Sequence, residues 1–157
     1  LLGEMVMERC YLEKLEERRK RKKAVLAVLF IYYAVMLMNL TFLERTQTVS
    51  DYNIVPFRTI GTVLLSGNVY AIVINIFGNF FIFMPLQFFL IELFEIRKIK
   101  QNFLVCFTIT FAIEIVQNIF KVGMLDVDDI LLCVAGMMSF YYFYRKYRGK
   151  TKNGGCR

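Results

Sequence analysis

The chain has no histidine among its 157 residues, only two prolines and four cysteines, and neither an internal repeat nor a low-complexity tract. Without imidazole, the commonest metal ligand and general base is missing, which excludes histidine-based zinc sites and histidine-assisted nucleophiles. Two of the cysteines, Cys106 and Cys133, lie inside apolar runs, while Cys10 and Cys156 sit near the ends, beside basic segments. Neither a structural disulfide nor a zinc site is expected from that spacing. Acidic residues are few as well, 13 against 20 lysines and arginines, for a formal net charge of +7.

Apolar sequence is what the chain has in quantity. Hydrophobic residues make up 57% of it and the mean hydropathy is +0.49, a composition that cannot be arranged with a polar exterior. Four apolar runs stand apart: Ala24 to Leu43, Val69 to Ile91, Phe103 to Phe120, and Ile130 to Tyr144, the last reaching full length only if Val127 and Tyr147 extend it. About 20 residues at about 1.5 Å each cross a hydrocarbon core of about 30 Å, so the third and fourth runs read as short and the second as long. The first run is too long for a signal-peptide core and lacks a small-residue cleavage site, so it is expected to remain as a span. The chain begins Leu1-Leu2 without an initiator methionine, leaving open an upstream portion or a non-standard start.

Basic residues set the expected orientation. All but Arg45, Arg58 and Lys121 of the 20 lie before the first run, between the second and third, or after the fourth. The positive-inside rule then puts both termini and the middle loop in the cytoplasm. The fold expected is all-α, a four-transmembrane-helix bundle, divided into a charged cytoplasmic helix over residues 1–23, a membrane domain over 24–147 and a basic tail over 148–157. Within the first segment Glu16 and Lys20 take the favourable i,i+4 spacing. The run from Arg18 to Lys23 abuts a span, so it suits anionic lipid headgroups rather than nucleic acid.

Polar residues inside the spans carry the functional signal, because a polar group in hydrocarbon costs free energy unless paired. They are Asn39 and Thr41 in the first run, Asn75 and Asn79 in the second, Glu114 and Gln117 in the third, and Asp126, Asp128 and Asp129 before the fourth. All fall towards one side. Counted from the outer ends, Asn75 and Glu114 both lie about 9 Å deep, and Asn79 and Thr110 both about 15 Å. Asn75 and Asn79 share an α-helical face at i,i+4, as do Thr110, Glu114, Gln117 and Lys121, so bonds from Asn75 to Glu114 and from Asn79 to Thr110 are expected.

Asp126 suits the N-cap of the fourth span, with Asp128 and Asp129 in its first turn, where the helix dipole favours negative charge. Three clustered carboxylates also make Asp126, Asp128 and Asp129 candidate ligands of a divalent cation. In the first outer loop, Ile60, Val63 and Leu64 follow Asn53-Ile54-Val55-Pro56-Phe57 at helical spacing, which predicts a short interfacial helix. Pro85 removes a helical hydrogen bond and frees the Phe81 carbonyl, so a kink is expected there. Tyr70 at one boundary and Tyr141, Tyr142, Tyr144 and Tyr147 at the other fit aromatic anchors.

Taken in order, Asn53 to Phe57, Asn75, Gly78-Asn79, Phe83-Met84-Pro85-Leu86, Glu114 with Gln117, Asp126-Val127-Asp128-Asp129 and Gly136 resemble the VanZ-like family of bacterial membrane proteins. The resemblance runs from about Tyr52 to Tyr141. It implies a link to resistance against glycopeptide antibiotics, teicoplanin above all, and a place in the bacterial cytoplasmic membrane. The chain departs from the family pattern at Gln87, where a glycine is usual, at Gly123, where an arginine is usual, and at Cys133, where an asparagine is usual. The missing arginine takes a cation from beside the aspartates; Lys121 stands two residues earlier.

Three functions fit these residues. In the leading one, an outward-facing polar cavity framed by Asn53, Asn75, Asn79, Glu114, Gln117, Asp126, Asp128 and Asp129 binds a lipid-linked cell-wall precursor headgroup or a lipoglycopeptide. In the second, Glu114 is the general base of an enzyme acting on a polyprenyl or phospholipid headgroup, with the three aspartates holding a divalent cation. In the third, the polar residues only pack helices in a membrane scaffold.

Overall fold

The computed structural model describes residues 2–43 and 52–153. Four helices in it are long and apolar enough to cross a membrane: Met7–Phe42, Val69–Glu92, Ile99–Ile119 and Val127–Arg148. Their outward surfaces are apolar, with Val25, Val28, Ile31 and Tyr32 exposed along the first, whereas Gln87, Asn102, Thr110, Glu114 and Gln117 are buried. This inversion of the soluble pattern is what a lipid solvent selects. The chain is a multi-pass membrane protein.

Helix α1 runs unbroken over Leu2–Met38, so the charged amino-terminal segment and the first span are one rod of about 55 Å. It widens into a π-helical turn at Asn39–Leu43. The described chain resumes with the strand β1, Tyr52–Asn53, and the short helix α2, Arg58–Leu65, the helix expected between the first two spans. The second span is composite: α3 at Val69–Ile72, a π-helical stretch at Val73–Gly78, α4 at Asn79–Ile82 and α5 at Met84–Glu92. The span breaks at Phe83, two residues before Pro85, as the proline requires. The carbonyl that recruits a partner is that of Ile82, rather than Phe81, and it accepts from the Tyr33 hydroxyl of α1 at 2.7 Å. A neighbouring helix thus satisfies backbone that the proline leaves open.

Helices α6, Ile99–Ile119, and α7, Val127–Asn153, complete the bundle. Neither is short. Each extends beyond its apolar run through polar residues, α6 through Asn102 and α7 through Asp128 and Asp129 at one end and Arg145 at the other. A two-residue strand β2, Leu125–Asp126, precedes α7 and pairs in parallel with β1, Tyr52 opposite Leu125 and Asn53 opposite Asp126. The apolar core joins Leu37, Phe83, Leu86, Leu90, Cys106, Cys133 and Met137, one or more from each span.

Helices α4 and α7 approach closely at Gly136. A Cβ added at Gly136 would lie 1.8 Å from the Phe80 carbonyl oxygen and 2.9 Å from its carbonyl carbon. Backbone cannot yield as a flexible side chain can, so only glycine permits this crossing. At the opposite end, Lys23 and Arg19 of α1 reach Glu95 at 2.8 and 3.3 Å. The Lys23 hydrogen bond first, then the charges of Lys23 and Arg19, hold the Glu95 carboxyl below its ordinary value. The contribution of this tie is present at neutral pH and is lost as pH falls through that lowered value.

Gly136→Ala should lower the midpoint of thermal unfolding in detergent by on the order of 5 °C, because overpacking typically costs about 1–3 kcal/mol. Gly61→Ala, where an added Cβ meets nothing within 4 Å, should leave it unchanged or slightly raised.

Candidate functional site

The three aspartates ahead of α7 are divided among three tasks. Asp126 accepts from the Asp128 backbone N–H at 2.9 Å, which makes it the N-cap of its own helix, as its position predicts. The same carboxylate accepts from Asn53 Nδ2 at 3.1 Å and from the Thr59 hydroxyl. Asp128 reaches across to the start of α2. Its two oxygens take the N–H groups of Phe57 at 2.5 Å, Thr59 at 2.8 Å and Ile60 at 3.1 Å. These are donors that the first turn of a helix leaves without internal partners, and the dipole of α2 favours the charge. Phe57 adopts the left-handed conformation, φ 64°, where the chain turns into α2. With 0% of Asp128 exposed, three charge-assisted bonds supply what water would have supplied. Asp129 accepts from Asn79 Nδ2 of α4.

Asn53 holds the other side of the junction. Its Nδ2 also meets the Thr59 hydroxyl at 3.0 Å, while its Oδ1 takes the Val55 N–H at 3.2 Å. Together with the β1–β2 pairing, these bonds fasten the first loop to the turn between α6 and α7. Thr59 is a participant that the sequence reading missed. Its only signal was a hydroxyl residue two positions after Phe57, in the first turn of the predicted helix.

Below this lid lies Glu114, 7% exposed, whose Oε2 accepts from the Asp126 N–H at 3.3 Å. One turn away Gln117, 2% exposed, donates from Nε2 to the Thr41 carbonyl at 2.8 Å. Thr41 lies in the π turn that ends the first span, where a helix leaves carbonyls unpaired, so Gln117 caps a neighbour. That bond fixes the amide's orientation and directs Oε1 towards the interior, where it has no hydrogen-bond donor among the described residues. A cavity of about 40 Å³ opens here, with Thr41, Asn79, Thr110, Glu114, Gln117 and Cys133 among its walls. At about 10–15 Å³ for each water centre, it has room for roughly three waters.

The structure brings Asn53, Asn79, Glu114, Gln117, Asp126, Asp128 and Asp129 into one connected region and leaves Asn75 out. Asn75 is exposed and donates to the Ala71 carbonyl of its own helix at 2.9 Å. The expected Asn75–Glu114 bond is therefore replaced. Its cause is the π-helical stretch Val73–Gly78, whose wider turn rotates Asn75 off the face it would share with Asn79 in an α-helix. Nor does Asn79 bond Thr110, whose hydroxyl donates to the Cys106 and Phe107 carbonyls at 3.1 Å each. Asn39 is exposed, and Lys121, also exposed, adopts a left-handed conformation.

The proposed cation ligands Asp126, Asp128 and Asp129 do not converge. Among the described residues, no group of three or more His, Cys, Asp or Glu side chains is placed to hold a metal ion. A second buried polar layer, nearer the basic end, was also missed as a unit. The Cys106 thiol donates to Gln87 Oε1 at 3.1 Å and lies 3.6 Å from Asn102 Oδ1, while Gln87 Nε2 has no partner among the described residues.

Asp128→Asn would turn one acceptor oxygen into a donor facing N–H groups, at a cost of about 1–3 kcal/mol. The thermal midpoint should fall by on the order of 5 °C. Asn75→Ala should change stability by no more than about 0.5 kcal/mol, as for an exposed residue.

Compared with known proteins, residues 30–148 match the family model described as VanZ/LLP1. No curated protein and no solved structure matches the chain.

Proposed function

The chain belongs to the VanZ/LLP1 family, and from that premise we propose that its aspartate end faces outwards from the bacterial cytoplasmic membrane and recognises the headgroup of an amphiphile. The distribution of basic residues favours this orientation, with both termini in the cytoplasm. The observation that carries the reading is the placing of a buried carboxylate, Glu114, beside an amide oxygen, Gln117 Oε1, that has no donor among the described residues. Both border the same cavity, so a ligand group bearing O–H or N–H protons that donates to Gln117 Oε1 would lie beside the Glu114 carboxylate.

The cavity's size constrains the ligand. About 40 Å³ cannot enclose a sugar, so the headgroup stays at the surface and only a donor-bearing tip, a hydroxyl, amide or amine, enters. Lipid-linked cell-wall precursors and teicoplanin-type lipoglycopeptides both present such groups beside an acyl or polyprenyl chain. Resistance to teicoplanin is the activity proposed on this basis. Divalent-cation catalysis finds less support, because the carboxylates it needs are engaged with Asn53, Thr59, Asn79 and backbone donors. A scaffold role is the second reading, favoured by how fully Asp126 and Asp128 are used internally.

Teicoplanin and vancomycin susceptibility of a sensitive Gram-positive host expressing the chain tests the proposal. The expected result is selective protection against teicoplanin that Glu114→Gln abolishes at equal membrane abundance, since one charge-assisted hydrogen bond is worth about tenfold or more in affinity. Equal protection by parent and variant, or by neither, would overturn the proposal. Loss of protein in the variant would favour the scaffold.

A further inference from the structure

The basic end of the bundle holds a second concave site, distant from the aspartates. Glu92, at the end of α5 and 7% exposed at its side chain, accepts from Lys22 Nζ of α1 at 2.7 Å and from Arg148 Nη1 of α7 at 2.6 Å. The Tyr144 hydroxyl donates to it as well. Glu95, three residues on and in a left-handed conformation at φ 59°, holds Lys23 and Arg19. These residues, with Leu26 and Arg97, surround a hollow of about 170 Å³.

Charge within this hollow is not balanced. Five cations, Arg19, Lys22, Lys23, Arg97 and Arg148, face two carboxylates, which leaves three positive charges around one small volume. The carboxylates do more than neutralise: they tie cations from α1 and α7 into fixed positions beside the α5–α6 connection. Arg97 is exposed, and its guanidinium has no partner among the described residues. Its backbone is held, since its carbonyl accepts from the buried Tyr141 hydroxyl at 2.6 Å. Like charges confined this closely repel unless an anion sits among them, and a guanidinium fork beside ammonium groups matches the oxygens of a phosphate.

We propose that this hollow binds a net-anionic phosphate group, as the phosphodiester of an anionic lipid headgroup or as free phosphate. The position favours the lipid source. Exposed apolar residues of α1, Val25, Val28 and Leu29, begin within a turn of Lys22 and Lys23, so acyl chains can run along the helix from a phosphate held there.

The test uses the full chain in a neutral detergent, titrated separately with phosphatidylglycerol, phosphatidylcholine and inorganic phosphate, with binding followed by native mass spectrometry and thermal shift. Phosphatidylglycerol should bind and stabilise, phosphatidylcholine should not, and Arg97→Gln should weaken the phosphatidylglycerol interaction about tenfold. Arg97 has no partner to lose, so this variant should fold as the parent does. Lys100→Gln, a charge removed outside the hollow, should have little effect. Saturable, Arg97-dependent binding of inorganic phosphate without extra gain from the lipid would support the site and assign it to the free anion. Equal effects of both variants, or no preference over phosphatidylcholine, would overturn it in favour of diffuse surface charge.

Discussion

A carboxylate withdrawn from water has to be surrounded by donors, and Asp128 meets that requirement with the backbone N–H groups of Phe57, Thr59 and Ile60. Much of the aspartate end depends on this grip. Because α2 is held by the start of α7, Asn53 and Thr59 are brought onto Asp126. Asp126 in turn presents its backbone N–H to Glu114, so this buried glutamate finds a donor at the junction. The small cavity with the orphaned Gln117 oxygen lies directly below.

The membrane setting explains why the interior is so irregular. In lipid every backbone group needs a protein partner, and here two departures from the α-helix are answered by a side chain from another helix. Tyr33 answers the break before Pro85, and Gln117 answers the π turn that ends the first span. Gly136 lets α7 lie against the Phe80 carbonyl, and Asp129, two turns before Gly136 on α7, meets Asn79, the residue before Phe80. Polar side chains in this bundle therefore act as both glue and frame, and the cavity is what remains between them.

The amino-acid sequence carried the spans, the short helix α2, the break near Pro85 and the N-cap role of Asp126, because each depends on local pattern. It also pointed to the right neighbourhood for the polar residues, since depth can be counted along a helix. It failed where α-helical periodicity failed. Nothing in Val73 to Gly78 signals a π-helical stretch, so Asn75 was assigned to a face it does not occupy. Parallel pairing of two-residue strands is too short to leave a pattern, and three adjacent aspartates look alike until their partners are known. The basic hollow was illegible for a different reason: its cations come from both ends of the chain and meet only when α1, α5 and α7 are packed.

The central claim is that the Asp128 carboxylate is a structural clamp on α2 rather than a free ligand. Hydrogen–deuterium exchange of the amides at Phe57, Thr59 and Ile60, in the parent chain and in Asp128→Ala, tests it most directly. The account predicts slow exchange in the parent and a large, localised acceleration at those three amides in the variant, with α6 still protected. Fast exchange in the parent, or equal protection in both proteins, would contradict it.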